Sequence, residues 1–599
     1  MISCTIPQLF FSQAQKRAHC IAYRAKRSGS YVDFSWERSA KEVRSLALGL
    51  LDLGLQPEDR WAIISENRPE WIFWDLAIMS CRALSVPIYT SDTAAEIAKI
   101  LKDCEAVGIL ASTPEQLDKV LELPQSVPSL RHLFVLDPPE SLPEGVRAYP
   151  AWLNQPRTTP EERLNQLISG ASNEETATLI YTSGTTGKRK GVMLSHKNFL
   201  SNAEACAQIL PISDADVTLS MLPLSHVFER MADYYLPLYL GCTIGFAESL
   251  DTVGENMLEV RPTVVLSVPR FFEKLQARIE AAIEEAAPLR RRLFLWAKGV
   301  GWKMAQVQLA RKIPNLKLRL IYAIAEVLVF RKLKARLGGR LHFFVSGGAP
   351  LPAAVARFFA SAGVVILEGY GLTETSPVIA VNRMDKRKLE TVGPLLPGVE
   401  VRISEEGEIL TRGPHVMQGY FRNQEKTEAA IVDGWFHTGD IGLMDEDGFL
   451  VITDRKKDLI VTSGGKNVAP QKIEALLKES PFVAEAMVYG DWNNFLVALL
   501  VPDWTRLESY ALQNNISTED RAALVRDDRI RQLIYKHLEA LAPGLSSYEQ
   551  VKEFEFLDHD WGREFGELTP TLKLKRQVIA EKYADLIKSA YERARKNRQ

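Results

Sequence analysis

The chain has 599 residues, too many for one hydrophobic core, so we expect two or more domains. A hydrophobic fraction of 46%, a charged fraction of 25% and a net charge of −2 are typical of a globular protein and argue against a general polyanion binder. The six cysteines have no close paired spacing, which argues against a disulfide framework or a zinc site and favours a cytoplasmic protein. We expect neither a signal peptide in residues 1–24 nor a membrane span, because the longest strongly apolar stretch, residues 320–330, is too short.

The first part of the chain predicts alternating helices and buried strands. Ser35 can cap a helix that extends to residue 57, and residues 71–78 are apolar and also predicted to be helical. Short apolar runs predict strands at residues 61–64, 86–89, 108–111, 133–136 and 176–180. This alternation predicts an α/β fold in which helices cover buried parallel strands.

The last of these strands leads directly into the segment Tyr181-Thr-Ser-Gly-Thr-Thr-Gly-Lys-Arg-Lys-Gly191. Its glycines let the backbone approach a ligand, its N–H and hydroxyl groups can donate to oxygens, and Lys188, Arg189 and Lys190 offset negative charge. The segment predicts a polyphosphate loop, with a polar surface turn as the alternative. It is not a Walker A loop, because Arg189 stands where that pattern requires its second glycine. The other candidate binding residues are Thr182, Ser183, Gly184, Thr185, Thr186 and Gly187.

Two later segments also contain glycine turns. The first, Phe344-Val-Ser-Gly-Gly-Ala-Pro350, leaves a predicted strand and by itself fits a structural turn better than a binding site. The second, Glu368-Gly-Tyr-Gly-Leu-Thr-Glu-Thr375, is more specific, because an aromatic ring between glycines can lie flat against a base. Glu374 offers a carboxylate that can hold Mg²⁺ together with phosphate oxygens, against the alternative of a solvated surface acid. The candidate residues of the first turn are Gly347, Gly348 and Ala349.

Residues 397–453 predict β-hairpins, because short alternating strands meet glycine turns. The charged segment 454–458 follows as a candidate linker, and further strands and helices come after it. We therefore place a domain boundary between Thr453 and Asp454. Residues 1–453 would form a large domain of layered α/β subdomains with a small β-rich subdomain, and residues 454–599 a small α+β domain.

Together, the loop at 181–191, the octapeptide at 368–375, Trp435-Phe-His-Thr-Gly-Asp440 and Asp454-Arg455 resemble the motifs of the adenylate-forming superfamily. This superfamily includes acyl-CoA synthetases, luciferases and the adenylation domains of peptide synthetases. The resemblance covers about residues 5–590 and departs from the usual pattern at Arg189, where proline is common. It implies that the N-terminal domain binds AMP and the acyl group, and that the C-terminal domain rotates about a hinge at Asp454.

The resemblance also implies roles for individual residues. Tyr370 would stack on adenine, Thr373 would contact phosphate and Glu374 would bind Mg²⁺. Asp440 would bind the ribose hydroxyls and Arg455 would contact AMP. The pyrophosphate oxygens would be held by Ser183, Thr185, Thr186 and Lys190. The remaining nucleotide-binding candidates are Glu368, Gly369 and Gly371, and the candidates for the path of the pantetheine arm are Gly464, Gly465 and Lys466.

Relatives in this superfamily carry a catalytic lysine near the C-terminus, which bridges the acid carboxylate and the α-phosphate during adenylation. The segment Leu568-Thr-Pro-Thr-Leu-Lys-Leu-Lys-Arg576 lacks the usual glycine, and its neighbours favour Lys573 with Lys575 as the alternative. The segment Pro223-Leu-Ser-His-Val-Phe-Glu-Arg230 places His226 at the carboxylate end of the family's acyl pocket. A structural histidine is the alternative.

Within the superfamily, these last two segments and a helical insert at residues 290–340 resemble long-chain fatty acyl-CoA synthetases. The insert contains fourteen Lys and Arg residues and one acid, Glu326, among apolar residues. Such a surface fits peripheral contact with an anionic membrane, with a solvated pair of helices as the alternative. Nucleic-acid binding is disfavoured, because the charge is local and no recognition motif accompanies it.

The predicted activity is the ATP- and Mg²⁺-dependent activation of a long-chain fatty acid through an acyl-adenylate. Coenzyme A would then form the thioester and release AMP. An acyl-[acyl carrier protein] synthetase would share the first half-reaction and differ in its acceptor. A non-catalytic lipid-surface protein would keep only the fold, and the joint presence of Lys190, Glu374, Asp440, Arg455 and Lys573 argues against it.

Overall fold

A computed structural model describes residues 3–182, 189–463, 466–541, 545–562, 565–568 and 574–596. The chain forms two compact units. The first contains residues 1–402, 410–438 and 444–451, and the second contains residues 403–409, 439–443 and 452–599. The boundary predicted at Thr453/Asp454 stays a prediction.

The described strands, β1 to β26 in chain order, are Ile21–Arg27, Ser30–Ser35, Arg60–Ile64, Leu84–Ile88, Gly108–Ala111, His132–Val135, Val146–Ala148, Thr176–Thr182, Lys190–Ser195, Val217–Ser220, Thr243–Phe246, Val264–Ser267, Phe343–Ser346, Ile366–Gly371, Val378–Val381, Glu400–Ile403, Glu408–Arg412, Gly419–Tyr420, Ile431–Val432, Trp435–Met444, Leu450–Arg455, Ile460–Val461, Asn467–Val468, Val483–Tyr489, Leu496–Pro502 and Val551–Phe556.

The described α-helices, α1 to α23, are Ile6–Lys16, Trp36–Asp52, Pro69–Ser80, Ala94–Cys104, Pro114–Asp118, Tyr149–Leu153, Glu161–Gly170, His196–Ile209, Val227–Glu229, Leu236–Leu240, Val253–Val260, Pro269–Glu284, Pro288–Leu309, Leu316–Ala325, Arg331–Arg336, Ala353–Ser361, Gln424–Ala430, Pro470–Leu477, Trp504–Gln513, Arg521–Leu524, Asp528–Leu541, Arg576–Lys582 and Ala584–Lys596. Two π-helical segments, Arg230–Tyr235 and Glu326–Phe330, connect neighbouring helices, and Thr373–Thr375 is a 3-10 turn.

The first unit contains two eight-stranded sheets. One has the order β15-β14-β13-β12-β10-β11-β1-β2, and the other has the order β18-β9-β8-β4-β3-β5-β6-β7. Strands β14, β13, β12, β10, β11 and β1 are mutually parallel neighbours in the first sheet, and β8, β4, β3, β5, β6 and β7 are parallel in the second. The predicted α/β fold with buried parallel strands is confirmed.

Three smaller sheets complete the topology of the described chain. A five-stranded sheet has the order β16-β17-β20-β19, with β21 beside β20. In the second unit, β22 pairs with β23, and β24-β25-β26 form a three-stranded sheet whose first pair is antiparallel and second pair parallel. Strand β21 ends at Arg455, so Asp454 and Arg455 lie in a strand, whereas the sequence predicted a linker from residue 454.

Local sequence signals explain several element boundaries. The hydroxyl of Ser35 accepts a hydrogen bond from the N–H of Arg38 at 3.2 Å and caps α2, as predicted. That helix ends at Asp52, five residues earlier than predicted. In the part of the chain that the structure describes, no helix combines the length and the apolarity needed to cross a membrane.

Candidate active site

The predicted site residues of the first unit lie where neighbouring parallel strands end. Strands β10, β12 and β13 end at Ser220, Ser267 and Ser346, and β14 continues into the octapeptide at 368–375. In open α/β sheets the carboxyl ends of the strands are where ligands bind. The fold thus gathers the segments around His226, Gly347 and Tyr370 at one edge of a single sheet.

The polyphosphate-loop segment joins β8 to β9, and Thr182 lies opposite Lys190 at the base of this hairpin. Of the predicted loop residues, Ser183, Gly184, Thr185, Thr186, Gly187 and Lys188 lie outside the described residues. Arg189 directly follows them. Its guanidinium donates to both carboxylate oxygens of Asp92 at 2.7 Å and to Glu96 at 3.2 Å.

This ion pair gives Arg189 a structural role at the position where the sequence differs from the usual superfamily motif. Asp92 is buried, and Glu96 also completes the capping box of α4 with Thr93. The two carboxylates raise the pKa of the Arg189 guanidinium against the opposing effect of burial. Arg189 therefore links the start of β9 to the start of α4 through a charged bidentate contact. Relatives in the superfamily commonly have proline at this position.

Lys190 and Glu374 are brought together by a residue that the sequence analysis missed. The ammonium of Lys190 lies 4.6 Å from the centre of the Tyr420 ring, and the Tyr420 hydroxyl donates to Oε1 of Glu374 at 3.0 Å. Tyr420 belongs to β18, which pairs with β9. The available signal was weak, since Gly419-Tyr420 reads as an ordinary turn followed by an aromatic residue.

The octapeptide is held in place by close backbone contacts. A Cβ atom at Gly371 would lie 1.8 Å from the carbonyl oxygen of Pro377, so only glycine fits there. The Thr375 hydroxyl donates to that same carbonyl at 2.5 Å and accepts from the Leu372 N–H at 2.9 Å. These contacts fix the 3-10 turn that carries Thr373 and Glu374.

The other members of this motif lie on β14. Gly369 and Tyr370 pair with Val381 and Ala380 of β15, and Tyr370 is half-buried. Burial raises the pKa of Glu368 to about 8, so its carboxyl group keeps its proton near neutral pH. A neutral Glu368 can donate a hydrogen bond as well as accept one.

The Gly347 turn approaches the segment that carries His226. A Cβ atom at Gly347 would lie 2.9 Å from the ring of Phe228, and Gly348 has a φ of +83°, which favours glycine. Ala349 follows in an exposed position. The Gly347 turn therefore packs against the segment that contains Phe228. Its predicted role in nucleotide binding stays a prediction.

His226 caps the short helix α9, where its Nδ1 accepts a hydrogen bond from the Phe228 N–H at 3.2 Å. The backbone that leads to it is fixed by Glu229, whose Oε1 accepts from the Ser220 hydroxyl and from the N–H groups of Met221 and Leu222 at 2.8–3.2 Å. Asn67 secures the next residues by donating to the Leu222 carbonyl and accepting from the Leu224 N–H.

Glu229 and Asp233 form a buried pair of carboxyl groups beneath this loop. Both side chains are fully buried, and Asp233 lies beside the Thr218 hydroxyl and the Glu229 carboxyl group. Burial raises the pKa of both groups, that of Asp233 to about 7. Two buried carboxylates side by side repel each other, so the pair keeps at least one proton near neutral pH.

Arg230 connects this loop to the strand that leads into the polyphosphate loop. Its fully buried guanidinium pairs with Asp75 and donates to the hydroxyls of Thr178 at 2.8 Å and Ser85 at 2.6 Å. Tyr235 completes the network by donating to Asp75 at 2.9 Å. The sequence carried one hint of it, since the pair Glu229-Arg230 interrupts an apolar run.

In the second unit, the structure brings Asp440 and Arg455 together. The Arg455 Nε lies 3.0 Å from an Asp440 carboxylate oxygen, and the Asp440 side chain is almost completely buried. The predicted hinge residue Asp454 is buried too, and its carboxylate accepts from the N–H groups of Arg455 and Gln471 at 2.6 and 3.3 Å. Burial raises the pKa of Asp454 to about 6.

Two predicted loops of the second unit are described only at their bases. The exposed Lys466 exchanges hydrogen bonds with Thr462 across a loop whose Gly464 and Gly465 lie outside the described residues. Lys573 also lies outside them. The described residues on either side, Leu568 and Leu574, form an antiparallel bridge, and the alternative, Lys575, is half-exposed.

The chain matches known protein families and individual proteins over most of its length. A sequence profile of the family described as AMP-binding enzyme matches residues 10–421, and one for the AMP-binding enzyme C-terminal domain matches residues 457–595. Long-chain-fatty-acid–CoA ligase FadD15 of Mycobacterium bovis is 36% identical over 592 residues, covering 98% of this chain and 97% of that protein. Long-chain-fatty-acid–CoA ligase ACSBG2 of Xenopus laevis is 31% identical over 624 residues, covering 98% and 84%.

A solved structure shares the fold. The O-succinylbenzoate coenzyme A synthetase of Bacillus subtilis, in complex with ATP and magnesium ion, matches with a TM-score of 0.68 and 21% identity, covering 95% of this chain and 98% of that one. The predicted superfamily resemblance is therefore confirmed by the profiles and relatives, and the predicted fold class by the structure.

Proposed function

The chain belongs to the AMP-binding enzyme family, and we propose that it is an AMP-forming long-chain fatty acid–CoA ligase. The observation that carries the proposal is its likeness, over nearly the full length of both chains, to proteins named long-chain-fatty-acid–CoA ligase. The convergence of Lys190, Tyr420 and Glu374 beside the polyphosphate loop supports the adenylation chemistry.

In the first half-reaction, a carboxylate oxygen of the fatty acid attacks the α-phosphorus of ATP, and pyrophosphate leaves. We assign Ser183, Thr185, Thr186 and Lys190 to the pyrophosphate oxygens, because hydroxyl donors and an ammonium stabilise the charge that develops there. Lys573 would bridge the acid and the α-phosphate. His226 would lie at the carboxylate end of the acyl pocket. The acid needs no general base, since a carboxylic acid is already ionised near neutral pH.

The AMP moiety is assigned to the octapeptide and to Asp440 and Arg455. Tyr370 would lie on adenine and Thr373 would contact phosphate. Asp440 would accept from the ribose hydroxyls, and Arg455 already holds that carboxylate in place. The other residues assigned to the nucleotide are Thr182, Gly184, Gly187, Gly347, Gly348, Ala349, Glu368, Gly369 and Gly371.

Glu374 fits a magnesium ion that is bound mainly by substrate oxygens. In the part of the chain that the structure describes, no cluster of three or more His, Cys, Asp or Glu side chains could hold a metal ion. Mg²⁺ usually takes one or two carboxylates together with phosphate oxygens and water, and Glu374 can supply one such ligand. Bound there, the ion would neutralise phosphate charge.

In the second half-reaction, the thiol sulfur of coenzyme A attacks the acyl carbon, AMP leaves and the thiol proton is released. We assign Gly464, Gly465 and Lys466 to the path of the pantetheine arm and Asp454 to a hinge between the two half-reactions. An acyl carrier protein is the alternative acceptor. We further propose a cytoplasmic location, which the six free thiols support, with peripheral contact between the insert at residues 290–340 and a membrane.

The test is pyrophosphate release with ATP, Mg²⁺ and saturated acids from acetate to stearate, each with and without coenzyme A. We expect turnover to peak at long chains and to require coenzyme A. Long-chain acyl-AMP formation with little transfer to coenzyme A would instead identify a carrier-protein synthetase. Folded protein that releases no pyrophosphate with any acid would refute the proposed function.

Two variants separate the assigned roles. Lys573→Ala should slow adenylation by about a hundredfold or more while sparing thiol attack on supplied acyl-AMP. Equal loss of both half-reactions would overturn that assignment and direct attention to Lys575. Glu374→Gln should weaken the response to Mg²⁺, whereas Glu400→Gln, at an exposed ion pair with Arg412, should not.

A further inference from the structure

The first unit contains a cavity that lies outside the proposed catalytic site. Its volume is about 540 Å³, which is within the usual range for small-molecule sites. The end of α2, strand β7, helix α6 and residues 155–158 line most of it. Among the described residues, its charged lining consists of Asp52, Arg147 and Arg157. None of these three residues is assigned to ATP, the acyl group or coenzyme A.

The carboxylate of Asp52 is already hydrogen-bonded within the wall of the cavity. One oxygen accepts from the Thr158 hydroxyl at 2.6 Å and from the N–H and hydroxyl of Thr159, both at 2.7 Å. The other oxygen accepts from the Thr158 N–H at 3.0 Å. These four bonds fix the segment that follows Arg157, and they direct the carboxylate to this segment rather than to either arginine.

The first of the two arginines, Arg157, has neutral partners. Its Cζ lies 4.5 Å from the centre of the Trp152 ring, and its guanidinium donates to the Leu153 carbonyl at 3.0 Å and to the Ser45 hydroxyl at 3.3 Å. In the part of the chain that the structure describes, it forms no ion pair. Partial burial lowers the pKa of Arg157, and the attraction of Asp52 offsets this effect only in part. The Arg157 cation therefore lacks a close negative charge.

The second arginine, Arg147, has a similar environment. Its Nη1 lies 3.5 Å from Nδ1 of His132, and its Cζ lies 5.8 Å from the centre of the Phe134 ring. Burial lowers the pKa of His132, and the charges of Arg147 and Arg131 lower it further, so the imidazole is neutral near neutral pH. Arg147 has no carboxylate partner among the described residues. The cavity is thus lined by two guanidiniums whose charge no ion pair offsets.

Close packing beside Gly49 holds the aromatic side of the cavity in place. Gly49 lies inside α2, where glycine is less favourable than alanine. A Cβ atom at this position would lie 2.6 Å from the Trp152 ring and 2.8 Å from Nη1 of Arg157. The glycine therefore allows both side chains to approach the helix closely, which fixes the Arg157 guanidinium against the wall.

We propose that this cavity binds a small organic phosphate monoester, whose phosphate group pairs with Arg147 and Arg157. Two cations without ion pairs match the charge of roughly −1.5 to −2 that a phosphate monoester carries near neutral pH. A planar guanidinium also donates two parallel hydrogen bonds to phosphate oxygens, which makes arginine well suited to such a site. The organic part of the ligand lies against the apolar lining, which consists of Leu53, Leu142, Ala151 and Pro156.

The test is a calorimetric titration of the full-length protein with hexyl phosphate, for which we expect saturable binding. Hexyl sulfate has the same chain but a single charge, so it should bind at least about tenfold more weakly to two guanidiniums. Inorganic phosphate lacks the apolar part and should also bind more weakly. Absence of saturable binding of hexyl phosphate, or an equal affinity for either comparison compound, would overturn the proposal.

A matched pair of double variants locates the bound hexyl phosphate. Arg147→Met combined with Arg157→Met should weaken binding at least about tenfold, because each change removes a charge-assisted contact. Arg38→Met combined with Arg44→Met removes two arginines outside the cavity, which stack on aromatic rings at 4.1 and 4.6 Å, and should leave binding unchanged. Equal effects of the two double variants would refute the site.

A single variant keeps the test decisive if the double variant fails to fold. Arg147→Gln, at a half-exposed position, leaves the contact between Arg157 and Trp152 in place and should still weaken binding severalfold. Unchanged binding in this variant, shown to be folded by its circular dichroism, would overturn the proposal.

A variant of the proposed nucleotide site completes the test. Lys190→Met should leave the binding of hexyl phosphate unchanged, because the cavity does not include this residue. If Lys190→Met abolishes binding and the Arg147 and Arg157 double variant does not, the probe occupies the nucleotide site and the cavity proposal is wrong. The cavity proposal does not rest on the proposed function, which pyrophosphate release tests separately.

Discussion

The cluster around Arg230 and the exposed surface of the helical insert at residues 290–340 use the same kinds of side chain in opposite ways. In the cluster, a guanidinium with no exposed surface has assigned partners, namely Asp75, Thr178, Ser85 and Tyr235. In the insert, most of the cations are exposed, and so are large apolar side chains such as Leu316 and Leu320. A buried charge needs charged or polar partners within the fold. A charge on the surface contributes little to the stability of the fold and remains free to interact with another surface.

The largest effect should follow from breaking the buried cluster. Arg230→Met leaves the Asp75 carboxylate buried without its counter-ion, so we expect the free energy of unfolding to fall by about 3–5 kcal/mol, measured by urea denaturation. Arg383→Met, which removes the exposed pair with Asp385, is the control and should cost at most about 1 kcal/mol. Equal losses in the two variants would remove the distinction between buried and exposed pairs.

A smaller effect is expected at the polyphosphate loop. Arg189→Met removes the bidentate contact to buried Asp92, so we expect a loss of about 1–3 kcal/mol of stability and a higher KM for ATP. Lys197→Met, which removes an exposed pair with Glu174, is the matched control. An unchanged KM for ATP would mean that Arg189 stabilises the hairpin without positioning the loop.

The buried carboxyl pair should give stability a specific pH dependence. Because the folded-state pKa of Asp233 is raised to about 7, the folded chain holds a proton that the unfolded chain has released between about pH 4 and 7. The free energy of unfolding should therefore fall as the pH rises through this window.

Asp233→Asn removes one of the two titrating groups and should make the slope shallower without abolishing it, because Glu229 stays buried with a raised pKa; urea denaturation between about pH 5 and 8 measures this. Asp214→Asn, at an exposed ion pair with Arg17, should leave the slope as in the wild type. A wild-type slope in Asp233→Asn would show that the pair does not hold the proton.

The smallest effect is expected on the exposed side of the helical insert at residues 290–340. Leu320→Gln should change the free energy of unfolding by no more than about 0.5 kcal/mol, because the side chain has little packing to lose. Phe330→Ala, on the buried side of the same helical stretch, should cost about 3–5 kcal/mol. If Leu320→Gln destabilises as strongly, that leucine packs against the protein, contrary to its exposed position.

The sequence predicted what depends on local pattern. The Ser35 cap, the strand at Gly108–Ala111 and the glycine requirement near Tyr370 all follow from residue type and short spacing. It missed contacts that only the order of the strands creates. Arg230 and Asp75 are 155 residues apart, Arg189 and Asp92 are 97 apart, and Tyr420 and Glu374 are 46 apart. A single sequence contains no signal for such pairs, because they depend on which strands become neighbours in a sheet.

The position of Arg230 has a consequence for redesign of the proposed acyl pocket. Its guanidinium joins the loop that carries His226 to Thr178, a residue of the strand that leads into the polyphosphate loop. Repacking residues 221–230 to admit shorter or branched acids would therefore also move the strand that leads into the predicted polyphosphate loop. Selection for a new acid alone would tend to yield enzymes with impaired use of ATP, so a library should vary Asp75, Ser85 and Thr178 together with the pocket.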